Sequence, residues 1–437
     1  MSSYREMGNS LVSASLEALI QHVAYYPDRS DFFNFLLSSR LFLRPYDLMT
    51  RVCRLCLEQR RSGDDLPDQI RFYEMAQKLV QLMTEWTETF PYDFSDERIM
   101  GCLGEITHHV ISQDEYSLRD IQQVTHRLKK RLSVLVQYEE EFPALNSVLA
   151  EHPASLKSKN ESGQRSGILS VCDDPVILAQ QLTHIELDRM SLIGPEEFIQ
   201  SFIVKTPKVK RQSSNLEAYV KWFNRLSSLV ATEICMPTKK KHRARVVKFF
   251  IGVAQQCLDI GNFNSFMAII AGMNTSSVSR LKKAWNKDNT RTFKILEHLM
   301  DPSYNFKNYG TALCDATERS NTEDNIQEKI VIPFFCLLMK DVFFLDESCA
   351  NRLPNGHINL EKLEDITKPI SKFLLWRQTI CPFDREDKIL QYLITTPVFT
   401  EEEPQLTCDK SKGNMETDSH RSFWGFLTQG FKKNTKQ

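Results

Sequence analysis

IVIPFFCLLMKDVFFLDESCANRLPNGHINLEKLEDITKPISKFLLWRQ, from Ile330 to Gln378, is the stretch on which the reading of the fold turns. It divides into two helical patterns about a turn. Pro333 suits a first helical turn, and Phe334, Leu337, Leu338, Val342 and Leu345 follow at helical spacing, ahead of the carboxylates Asp346 and Glu347. The connector SCANRLPNGHIN is rich in turn residues. Asn359 stands where it can cap a second helix, with Glu361 and Glu364 in its amino-terminal turn, where the helix dipole favours acids. Leu360, Leu363, Ile366, Ile370, Phe373 and Leu374 make its apolar stripe, and Pro369 inside it predicts a kink. Periodicity alone therefore predicts a helical hairpin, packed like any antiparallel pair.

The same periodicity runs outward in both directions. Upstream, Asp174-Pro175 is an N-cap followed by proline at the first helical position, and helical patterning continues from there to about Pro397. An earlier helical stretch shows Leu16, Leu19, Ile20 and Val23, then Phe32, Phe35 and Leu36 after Ser30, with Pro45 opening a further helix. Between the two, EHPASLKSKNESGQRSG has few residues able to enter a core and reads as a linker. The expected fold is all-α with two helical domains: a flexible amino terminus over 1–12, a small bundle over 13–150, a linker over 151–172, a larger domain over 173–404 carrying the hairpin, and a flexible tail over 405–437.

Composition agrees. Only 15 glycines occur in 437 residues, where an average chain of that length has about 30, which disfavours turn-rich sandwiches and glycine-loop nucleotide folds. The balance of 55 basic against 56 acidic side chains excludes a strongly basic nucleic-acid binder. The longest apolar run, Ile330 to Met339, is closed by Lys340 and falls short of the roughly 18 residues a membrane span needs. Eleven scattered cysteines without a signal-peptide pattern predict reduced thiols in a cytoplasmic protein, and the Cys53–Cys56 pair reads as core rather than as half of a metal site. No P-loop, nucleophile elbow or HExxH is present, and the ten histidines do not cluster at ligand spacing, so neither cofactor nor resident metal is expected.

Four ordered motifs carry a resemblance: DDPVILAQQLTHIELDRMSLIGPEEF (Asp173–Phe198), NLEAYVKWFNRLSSLVATEI (Asn215–Ile234), NFNSFMAIIAGMNTSSVSRLKKAW (Asn262–Trp285) and VIPFFCLLMKDVFFLDE (Val331–Glu347). Together they are similar to the catalytic domain of Ras-type guanine-nucleotide exchange factors. SLEALIQHV, DFFNFLLSSRLFL and WTETFPYDF resemble the helical Ras-exchanger motif that accompanies it, and the two-domain layout resembles the Ras-GEF-domain-containing family 1 group.

The resemblance implies an exchange factor that accelerates GDP release from a Ras-superfamily small GTPase, with no covalent chemistry. Its hairpin would wedge open the nucleotide site at the first switch and the magnesium position. Carried over, the intruding apolar position is Phe343 and the acid Glu347, four residues apart and so on one helical face, with Phe334 buttressing the hairpin. Phe343 departs from the smaller Leu or Thr usual there. Asn274 and Lys221 match positions that contact the GTPase, although Asn274 also reads as a helix cap and Lys221 as a solvated lysine. The family 1 likeness favours Rap as substrate, with Ras as the other choice, and a non-catalytic helical adaptor is the competing reading.

A basic run, Lys239, Lys240, Lys241, Arg243, Arg245 and Lys248, opens a helix after Met236-Pro237. Cations at a helix amino terminus oppose the dipole, so local stability does not account for them. A solvated face, a nuclear-localisation-like patch and attraction to anionic lipid are the readings open. Trp424, in the late cluster SFWGFLTQGFKK, is a second lipid candidate. Recruitment to membranes that carry lipidated GTPases is the localisation expected beyond the cytoplasm.

Overall fold

The computed structural model describes residues 4–7, 10–25, 29–60, 66–109, 115–150, 167–200, 214–281, 284–322 and 325–399. Most of the linker, the tail from residue 400 and with it Trp424 lie outside them. Helices dominate. In chain order they are α1 (Leu16–Tyr25), α2 (Arg29–Ser38), α3 (Pro45–Arg60), α4 (Leu66–Thr89), α5 (Glu97–His109), α6 (Glu115–Ala150), α7 (Ile168–Val171), α8 (Pro175–Leu192), α9 (Pro195–Gln200) and α10 (Asn215–Cys235). There follow α11 (Lys240–Ile260), α12 (Phe263–Met273), α13 (Ser276–Ser279), α14 (Lys287–Leu299), α15 (Ser303–Thr322), α16 (Phe335–Ser348), α17 (Leu360–Trp376) and α18 (Asp387–Thr395). The all-α expectation holds, and the hairpin is α16 and α17.

Two compact units form, and both are discontinuous in sequence. The first gathers 1–143, 193–212 and 341–374; the second gathers 144–192, 213–340 and 375–437. In the first unit, the end of α4 and the 3-10 turn Pro91–Ser95 close around Asp93, which accepts from Trp86 Nε1 at 2.7 Å and from Arg40 Nη2 at 2.6 Å. The Arg40 guanidinium also lies 4.1 Å from the Phe90 ring centroid. The motif WTETFPYDF is thus a buried junction: its tryptophan and phenylalanines fill the core while its one aspartate satisfies two buried donors.

The first unit also holds a small antiparallel sheet. Strands β1 (Tyr4–Met7) and β2 (Ser10–Ala14) pair across the end of the segment 1–12 read as a flexible amino terminus, and β2 pairs with β3 (Ile358–Asn359), with Ser13 opposite Asn359 and Ala14 opposite Ile358. Phe198 of α9 meets Phe373 of α17 edge-on at 5.1 Å between centroids. Burial raises the Cys53 thiol to about 11, with neighbouring Cys102 and Glu105 adding to the shift, which suits a core cysteine and not a redox thiolate.

The second unit is built on α8, α10, α11 and α12. Its caps follow the expected chemistry: Asp174 Oδ1 accepts from Val176 N–H at 2.8 Å at the head of α8, and Asn262 Oδ1 accepts from Ser265 N–H at 3.0 Å at the head of α12. Gly272 lets α12 approach α10, because a Cβ there would stand 2.4 Å from the Ser227 carbonyl oxygen.

Candidate functional site

The hairpin is rooted in the turn between α11 and α12. Gly261 ends α11 in the left-handed region at φ 91, and a Cβ there would meet the Ile330 carbonyl oxygen at 2.4 Å, so only glycine lets the two backbones touch. Ile332 N–H then donates to Gly261 O and Phe263 N–H to Ile332 O, each at 2.9 Å, which makes a short parallel bridge between Asn262 and Ile332. This bridge fixes where α16 starts. The helix begins at Phe335, two residues after the proline that suggested its first turn.

Phe334 is fully buried at that root, in the second unit. Its ring packs on Phe223 at 5.7 Å, Tyr309 at 6.3 Å and Phe306 at 6.5 Å, and its N–H donates to the Tyr309 hydroxyl at 2.8 Å. The next amide, Phe335 N–H, donates to Asn264 Oδ1 at 3.2 Å.

Asn264 belongs to a buried polar cluster centred on Glu186 of α8. Glu186 accepts from Ser265 Oγ at 2.7 Å, Asn264 Nδ2 at 3.0 Å and Trp222 Nε1 at 3.1 Å. Burial pushes its carboxyl above the usual range even though these donors, with the Tyr219 hydroxyl, favour the charged form. A polar residue inside QQLTHIELDRM thus ties α8, α10 and α12 to the first amide of α16. Sequence reasoning passed over it; its signal is an acid inside a helix whose neighbours are nearly all buried.

A strained turn also meets the root. Tyr304, Asn305 and Phe306 hold φ of 54, 56 and 58, three consecutive left-handed residues of which none is glycine. Such residues cost about 1–3 kcal/mol each unless their surroundings enforce them. Here Phe306 is buried against Phe334, and Asn305 Oδ1 accepts from Lys340 Nζ of α16 at 3.0 Å, while Tyr304 is left 90% exposed.

The predicted contact residues fall in both units. In the first, Phe343 is half-buried with its ring 6.1 Å from that of Phe344, itself 47% exposed, and Glu347 is exposed one turn further along α16. Lys362 of α17 reaches the end of the same helix, as an ion pair with Asp346 at 3.1 Å and a donor to the Asp346 and Cys349 carbonyls. Asn359 Oδ1 caps α17 through Lys362 N–H at 3.3 Å, as its position predicted, and α17 continues as one helix through Pro369. In the second unit, Lys221 is exposed on α10. Asn274 is the C-cap residue of α12, exposed, and donates from Nδ2 to Glu297 Oε1 of α14 at 2.8 Å. Lys239, Lys240 and Lys241 are exposed at the start of α11, whereas Arg243 turns back to donate to the Pro237 carbonyl at 2.8 Å.

Among the described residues no group of His, Cys, Asp or Glu could hold a metal ion, and no helix is long and apolar enough to cross a membrane. What the geometry presents is a rooted helix that carries an exposed acid, Glu347, and the phenylalanines Phe343, half-buried, and Phe344, exposed. Residues 177–364, from α8 into α17, match the family model described as RasGEF domain, which places the protein among the Ras-GEFs. The likeness extends beyond that domain. The chain is 56% identical over 429 residues to Ras-GEF domain-containing family member 1B-A of Danio rerio, covering 95% of this chain and 83% of that protein. It is 54% identical over 430 residues to member 1B of Homo sapiens (95% and 91%) and 49% identical over 425 residues to human member 1C (95% and 90%). The chain belongs to the Ras-GEF domain-containing family 1.

Proposed function

We propose that the protein releases GDP from a Ras-superfamily GTPase of the Rap branch by inserting the α16 end of its hairpin at the first switch and magnesium site. The observation that carries the reading is the pairing of Phe343 and Glu347 one helical turn apart, on a helix held at its root by the Ile332 bridge. GDP is retained by phosphate contacts and Mg²⁺ in the GTPase. An aromatic side chain that excludes the ion and an acid that competes for phosphate-binding donors both weaken that hold. Each 1.36 kcal/mol taken from the release barrier gives about tenfold in rate, so losing the ion and a few hydrogen bonds supplies several powers of ten. In this reading Phe334 supports the hairpin root, Asn274 and Lys221 contact the GTPase, and the protein works in the cytoplasm at membranes where lipidated GTPases reside.

Release of a fluorescent GDP analogue from Rap, Ras and Ral proteins, under excess unlabelled nucleotide, tests this. Acceleration confined to Rap, and reduced at least about tenfold in the Phe343→Ala, Glu347→Ala double variant, is expected. Acceleration of Ras or Ral instead would overturn the Rap assignment and leave the hairpin standing. Complex formation that excess GDP does not weaken, with no acceleration on any of the three, would replace exchange by a non-catalytic adaptor, because an exchange factor must be displaced by nucleotide through linkage.

A further inference from the structure

Two packed helices of the second unit, α11 and α14, carry the same cationic pattern on their outer faces. On α11 it is Lys241, Arg245 and Lys248; on α14 it is Lys287, Arg291 and Lys294. Both sets have the spacing i, i+4, i+7, so each forms one stripe, and all six side chains are exposed. The stripes lie opposite the buried positions of their own helices, Val246, Phe250 and Val253 on α11 and Asn289, Phe293 and Leu296 on α14. Among the described residues none of the six is ion-paired.

Nothing internal to the fold accounts for them. Like charges at i, i+4 repel, and cations in the first turns of a helix oppose its dipole, so each stripe costs its helix stability. The whole chain has a net charge of −1, so the patch is a local concentration and not part of a general basic character. The α14 stripe also has an apolar neighbour: Ile295, beside Lys294, is 65% exposed.

We propose that the outer faces of α11 and α14 are a docking surface for an anionic membrane leaflet. Lys and Arg close to an acidic bilayer are attracted by its negative surface potential, and an exposed isoleucine among them gains by entering the headgroup region. That apolar side chain favours lipid over a soluble polyanion, which offers it no apolar phase. Arg243, engaged with the Pro237 carbonyl, takes no part. The surface does not depend on the exchange reading, because it can be measured with no GTPase present.

The test is sedimentation of the full chain with phosphatidylcholine vesicles, with and without phosphatidylserine. Binding only to the acidic vesicles, falling with salt, is expected. The triple variants Lys241→Glu, Arg245→Glu, Lys248→Glu and Lys287→Glu, Arg291→Glu, Lys294→Glu should each lower it at least about tenfold. The matching Gln triples, checked by circular dichroism, serve if charge reversal disturbs folding, and Ile295→Ser should weaken binding without changing its salt dependence. No binding to acidic vesicles overturns the proposal, as does binding that survives both triples. Retention on heparin without vesicle binding overturns it in favour of a soluble polyanion.

Discussion

Lys362 Nζ lies 3.1 Å from Asp346 Oδ1, and the two side chains are only 4% and 16% exposed. The same ammonium group donates to the Asp346 and Cys349 carbonyls, so one cation from the first turn of α17 occupies the carboxyl end of α16, where the dipole favours it. Glu347 lies in the turn so capped. Removing the amine leaves a carboxylate and carbonyls without their donor; Lys362→Met is expected to lower stability by about 2–4 kcal/mol in urea unfolding. An unchanged midpoint would show that water replaces the clamp.

Glu186 sets a pH dependence. Its carboxyl is raised in the folded state, so between the ordinary carboxylate range and the raised native value the folded protein holds a proton that the unfolded chain has released. Stability therefore falls as pH rises through that window and is level above it. Glu186→Gln removes the slope: its stability relative to the parent should improve as pH rises above the ordinary carboxylate range and then level off, as read from urea midpoints at each pH. A parallel pair of curves would mean that the cluster holds the carboxylate charged.

Phe334 and Phe343 differ in burial, and so in what their loss should do. Phe334→Ala empties a fully buried site among Phe223, Phe306 and Tyr309 and should cost about 3–5 kcal/mol of stability. Phe343→Ala, at a half-buried position, should cost under about 1.5 kcal/mol and act chiefly on GDP release. Thermal melting alongside the release assay distinguishes the two, and equal losses of stability would place Phe343 in the core.

At Tyr304 the side chain is 90% exposed while the backbone is held left-handed. Tyr304→Gly removes little packing and relieves an αL penalty of about 1 kcal/mol, so it should leave stability unchanged or raise it by up to about that amount. A lower melting temperature would show that the aromatic ring packs in solution.

Thiol reactivity follows burial. Cys336 is buried beside the root of α16, and burial pushes its thiol up to about 12. It should resist a thiol reagent in the native protein and react on unfolding, whereas the exposed Cys314 and Cys349 should react at once. Mass spectrometry of the labelled peptides reads both.

Much of the helical framework was legible. Proline at the head of α3 and α8, the Asp174 and Asn359 caps and the 3.6-residue stripes are local signals, each set by residues a few positions apart in the sequence. The polar contacts around the hairpin were not legible. Lys362, Glu186 and the Tyr304–Phe306 turn each satisfy or strain a group distant in sequence, and periodicity carries no information on such pairs. Lys362 left one trace, a cation in the first turn of a helix, where the dipole disfavours it.

By itself the sequence determined the helical class, the hairpin and the order of elements, because apolar spacing and caps act within a few residues. Only the tertiary structure decided which segments group together: residues 193–200 and 341–374 join the described part of 1–143, and residues 375–399 rejoin the described parts of 144–192 and 213–340. It alone also set the exposure of Glu347 and the burial of Phe334, which begin from the same kind of helical pattern. The physical reason is that burial depends on what packs from elsewhere in the chain, and a stripe of apolar residues states that it needs a partner without stating which one.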